Sequence, residues 1–196
     1  MTATQSRQDQ PIIAFAAKAD FESWLADQHE TSAGLWLKIA KKGTGIATVS
    51  YAEAIEVALC FGWIDGQKGK FDDVHWLQRF TPRRAKSPWS EINRTKAMAL
   101  IESGAMRPAG LAEVQRAQAD GRWEKAYAGQ RTAQVPADLQ AALDAEPAAR
   151  EFFATLNGAN RYAIIYRVNE AKKPETRARR IAKFTAMLAA GEKLHP

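Results

Sequence analysis

One cysteine in 196 residues, Cys60, excludes an internal disulfide. Together with three scattered histidines, His29, His75 and His195, it supplies no ligand set at zinc spacing, so no structural metal and no cofactor are expected. No apolar run approaches the ~20 residues needed to cross a bilayer, and Met1 to Gln10 lacks the basic start and apolar stretch of a signal peptide. These absences predict a cytoplasmic protein with no membrane span. A glycine-rich phosphate loop and a recognisable nucleophile–base pair are also missing, which weighs against an enzyme.

What is present fits a globular chain. Hydrophobic residues make up 46% and charged residues 26%, enough to bury one sizeable core or two small ones. The net charge of +6 is unevenly placed, with −3 in residues 1–65, +5 in 66–96, −2 in 97–160 and +6 in 161–196. Each basic segment either serves an anionic partner or is a solvated face.

Asp20-Phe21-Glu22-Ser23-Trp24-Leu25 reads as a short amphipathic helix, and Leu35–Ile39 has strand composition before Lys41-Lys42-Gly43-Thr44-Gly45 breaks it into a loop. Ser50-x-x-Glu53 has the form of a capping box, predicting a largely buried helix to about Phe61. Asp65-Gly66-Gln67-Lys68-Gly69-Lys70 reads as a turn and Val74–Phe80 as a strand. Ser87-Pro88 reads as an N-cap and first helical residue of a helix to Glu102, followed by another from Pro108 to Asp120. Ala128 to Val135 lacks periodicity and reads as a linker. Beyond it Pro136, Pro147 and Pro174 each mark a helix start, Asn157-Gly158 a turn, and Gly191 a stop. All six tryptophans precede this linker. The pattern predicts an α+β fold: a small antiparallel sheet packed with helices over residues 12–127, then an all-helical module over 136–191.

The stretches Ala58-Leu59-Cys60-Phe61-Gly62-Trp63-Ile64-Asp65-Gly66, Arg79-Phe80-Thr81-Pro82-Arg83-Arg84 and Ser87-Pro88-Trp89-Ser90 with Asn93 resemble the YdeI/OmpD-associated family. Ala171-Lys172-Lys173-Pro174-Glu175-Thr176-Arg177 with Arg180-Ile181 resembles its C-terminal pattern. The resemblance implies an association with resistance to bacteriocins or cationic peptides, and no defined catalytic residues.

The candidate site is the group Arg79, Arg83, Arg84, Trp89 and Asn93, with Trp63 and Asp65 beside it. Guanidinium forks close to a helix N-terminus hold phosphate or carboxylate, and Trp63, Trp76 and Trp89 offer faces for a planar ligand. The expected partner is an anionic small molecule or a phosphate-bearing ligand. The ordinary alternative has these arginines solvated or paired with carboxylates and the tryptophans in the core. An enzyme working at Cys60 or Asp65 on a phosphorylated or carboxylated substrate is a second reading, and general nucleic-acid binding a less favoured third. Cys60, on an apolar helix, reads more simply as a small buried hydrophobe, and Asp65 as a turn former. Arg177 flanks the apolar face of the last helix, where burial requires a carboxylate or helix-end carbonyl partner. Oligomeric state is left open.

Overall fold

A computed structural model describes residues 6–196. The chain forms two compact units, one ending at Tyr127 and the other spanning Ala128–Pro196.

The first unit carries five strands: β1 (Ser6–Arg7), β2 (Gln10–Ile13), β3 (Leu35–Ala40), β4 (Trp63–Lys70) and β5 (His75–Pro82). Their order in the sheet is β1-β2-β3-β5-β4, so β5 lies between β3 and β4. The helices are α1 (Lys18–Gln28), α2 (Tyr51–Cys60), α3 (Glu91–Glu102) and α4 (Pro108–Ala119). The expected antiparallel pairing of β3 with β5 is present, with Leu35 opposite Phe80 and Ile39 opposite Trp76. The sheet is nevertheless mixed, because β2 and β3 run parallel. The chain between them returns through α1, the crossover that parallel strands require.

Alternation along the strands sorts the faces. Leu35, Leu37, Ile39 and Phe80 join the core with Phe21 and Leu25 of α1, and with Ala54, Val57 and Ala58 of α2. Trp36 and Arg79, opposite one another, therefore lie on the other face. α2 starts as the capping box predicts: the Ser50 hydroxyl accepts from the Glu53 amide at 3.3 Å, and Glu53 accepts from the Ser50 amide at 2.9 Å.

Two elements depart from the sequence reading. Asp65–Lys70 is not a turn but most of β4, with a register shift between Asp65 and Lys68. Gly69 serves close approach rather than reversal: a Cβ there would lie 2.5 Å from a guanidinium nitrogen of Arg7. The reversal comes later, where the Asp72 carboxylate accepts from the amides of Val74 (2.9 Å) and His75 (2.6 Å). Nor does α3 begin at Ser87. Ser90 caps it, accepting from the Asn93 amide at 3.1 Å. The cause is a backbone bridge: the Tyr127 amide donates to Trp89 O and the Glu91 amide to Tyr127 O, which holds Trp89 extended and postpones the helix.

The second unit is all helical: α5 (Ala137–Ala145), α6 (Pro147–Thr155), α7 (Gly158–Asn169) and α8 (Pro174–Ala189). Leu139, Leu143, Phe153, Ile164, Val168, Phe184 and Leu188 form its core. Asn157 is a helix cap, accepting from the Asn160 amide at 2.9 Å. Arg177 has the partners its position demands. It donates to both Asp138 oxygens (2.6 and 2.8 Å) and to the Val168 carbonyl near the end of α7 (2.9 Å). Among the described residues no helix is long and apolar enough to cross a membrane.

Candidate functional site

The arginines adjacent in sequence separate in space. Arg79, on the sheet face shared with Trp36, donates from Nε to the Gln10 side chain at 2.8 Å. Arg84 is exposed, its amide bonded to the Ser87 hydroxyl at 3.0 Å in a turn rather than at a helix start. Arg83 is 6% exposed. Its guanidinium lies 3.7 Å over the Trp89 ring, and Nη1 donates to Pro88 O at 3.3 Å. Its Nε and Nη2 meet no hydrogen-bond partner, and no carboxylate lies within ion-pair distance among the described residues. Burial pulls its pKa down to about 10, opposed by the more distant charges of Glu113 and Asp65.

Trp89 is buried edge-to-face against Trp123 at 4.9 Å, and Trp63 is buried with its indole N–H on His29 O at 3.2 Å. Both are packing residues with at most one sheltered edge. Asn93 serves the cap of α3 through its backbone. Asp65 accepts from the Tyr51 hydroxyl at 2.7 Å. Arg122, which no sequence pattern singles out, donates to Ser87 O at 2.7 Å and so braces the same turn as Arg83.

Cys60 is buried at the end of α2, and its thiol is pushed up by that burial. The charges that bear on it are Glu22, Lys18, Arg107 and Glu56, not Asp65. The two members of the enzymatic reading are thus not electrostatic partners, and the thiol is held protonated.

Accessible cationic groups gather elsewhere, at the β4–β5 hairpin. A cleft of about 950 Å³ is lined by Lys41, Lys42, Lys68, Lys70, Phe71 and Trp76. All four lysines are exposed and both rings are half-buried. Lys70 lies opposite Trp76 and Lys68 opposite Gln78, so both lysines share the Trp76 face of the sheet. The Lys68 ammonium sits 4.4 Å over the Trp76 ring, and that of Lys38 sits 4.7 Å over Phe71. Lys41 donates to the carbonyls of Asp72 and Asp73, each at 2.9 Å, which ties the loop after β3 to the hairpin. The Asp72 carboxylate is held below its usual range, where burial is outweighed by bonds from Val74 and His75. Sequence patterning showed the charge, as the Lys41-Lys42 pair and the excess in 66–96. It did not assemble the cleft, because the segment holding Lys68 and Lys70 read as a turn.

An α+β unit with a lysine-lined aromatic cleft, followed by a unit of four helices, is the class of protein that fold and site define. The chain belongs to the family of a domain of unknown function (DUF8412), whose model matches residues 13–113, and residues 132–191 match the model described as "Bacteriocin-protection, YdeI or OmpD-Associated". The motifs at Ala58–Gly66, Arg79–Arg84 and Ser87–Asn93 lie within the first match, and Ala171–Ile181 within the second. No curated protein and no solved structure matches the chain.

Proposed function

We propose that this protein of bacteriocin-protection type acts by binding, and that its ligand is a phosphate-bearing anion held in the lysine-lined cleft. The observation that carries the reading is the set of four exposed lysines in one cleft with the half-buried rings of Trp76 and Phe71. Aromatic walls with a few charged groups are the usual form of a binding site. At low salt each exposed lysine–phosphate contact contributes up to about 1 kcal/mol. The test is titration with inorganic tripolyphosphate at low ionic strength. Lys68→Gln/Lys70→Gln should bind roughly tenfold or more weakly than the parent. Equal affinities refute the assignment.

A second reading rests on Arg83. Its Nη1 is tied to Pro88, which leaves unpaired the Nε–Nη2 edge, the side of a guanidinium that grips a carboxylate or phosphate with two parallel bonds. Its burial and its stacking on Trp89 favour a structural cation instead. Phosphate stabilisation that persists in the double lysine variant and disappears in Arg83→Lys would move the site to this fork.

A further inference from the structure

The cleft is shaped by the strand order. β5 runs between β3 and β4, so Trp76 has Ile39 on one side and Lys70 on the other. Lys41 and Lys42 follow the end of β3, while Lys68 and Lys70 belong to β4. The two pairs therefore stand on either side of Trp76, their backbones two strand spacings apart, roughly 9–10 Å. The cleft has no converging guanidinium fork of the kind that holds a compact oxyanion. Along β4, Lys68 and Lys70 stand about 6.8 Å apart on one face, a separation like that of successive phosphates in an extended strand.

Trp76 supplies the other half of the recognition. It already carries the Lys68 ammonium over its face, a contact that exchanges when the ammonium moves to a phosphate and a base takes its place on the ring. Within a duplex the base faces are stacked on one another and offer nothing to Trp76. We infer that the ligand of this cleft is single-stranded nucleic acid, its phosphates on the lysines of β4 and the β3 loop and an unpaired base on Trp76. The inference rests on the anion-binding reading of the same cleft and narrows it to one class of polymer.

Two carboxylates line the cleft as well. That of Asp72 is spent on the amides of Val74 and His75 and on the His75 ring nitrogen at 3.0 Å. Asp73 offers only its main-chain carbonyl, to Lys41, and its carboxylate repels an incoming strand. Asp73→Asn should accordingly tighten binding a few-fold.

Fluorescence anisotropy with a labelled oligothymidylate of about 12 nucleotides decides the matter. The competitors are a duplex of equal length, tripolyphosphate, and vesicles containing phosphatidylglycerol. The single strand should bind at least tenfold tighter than the duplex. Trp76→Leu should lose tenfold or more in oligothymidylate affinity and no more than about twofold in tripolyphosphate affinity. Because Trp76 also packs against the core, Trp76→Phe serves as the folded control and should retain part of the affinity. If the single strand and tripolyphosphate bind alike and Trp76→Leu alters neither, base stacking is refuted while anion binding stands. Equal binding of duplex and single strand, or retention by vesicles without oligonucleotide binding, overturns the inference. If no phosphate-bearing probe binds, both readings fall.

Discussion

Arg83 shows what nearness in sequence does and does not imply. Arg79, Arg83 and Arg84 sit within six residues, yet strand alternation sends Arg79 to the face opposite Phe80, and Pro82 ends the sheet before Arg83 turns onto Trp89. No pattern in the residues reports where a chain goes after leaving a strand, so the separation of the three was not legible. Arg177 was legible because its requirement is energetic: a cation on the edge of a buried face must find acceptors, and Asp138 and Val168 provide them. Cys60 was legible for the same kind of reason. Its apolar helical setting predicts burial, and burial raises the thiol's pKa by disfavouring the charged form. A neutral thiol out of solvent should not react with a disulfide reagent in native protein at pH 7–8, and should react fully once urea unfolds the chain. Rapid modification of the native protein would instead restore the enzymatic reading.

At the scale of elements, helices with caps and strict spacing were readable and glycine-bearing strands were not. α2 follows from Ser50-x-x-Glu53 and a run of apolar residues, and α8 starts at Pro174 with Gly191 beyond its end in the left-handed region. β4 was missed because Gly66 and Gly69 look like punctuation, whereas they permit a bulge and the approach of Arg7. In the second unit the tie between α5 and α8 has a pH signature. Asp138 is held below the ordinary carboxylate range, first by its bonds from Arg177. A carboxyl with a depressed folded pKa contributes stability that is complete above its unfolded value, about 3.9, and is lost as pH falls through the folded value. Asp138→Asn removes that contribution. Urea unfolding should therefore show the parent more stable than the variant at pH 6, with the gap narrowing below about pH 4. A gap that is constant with pH would mean the pair holds the helices by shape rather than charge.

Across the whole molecule, each unit has its own apolar core, one family match falls within each, and the net positive charge is divided between residues 66–96 and 161–196. Composition made the two modules visible through the loss of tryptophan and the gain of helix punctuation. It left open which basic segment meets a partner, because charge counts carry no geometry. The proposed site at the lysine cleft combines exposure, an aromatic wall and a shared strand face, and the proposal rests on its four lysines. The most direct test is the dependence of oligothymidylate affinity on salt. Each phosphate neutralised on a single strand contributes a slope of about −0.7 in log affinity against log salt, so engagement of all four lysines gives about −3. Lys68→Gln/Lys70→Gln should halve that slope to about −1.5. A slope near zero would contradict electrostatic binding of the strand, and a slope left unchanged by the double substitution would contradict binding at this cleft and point to the basic charge of residues 161–196 instead.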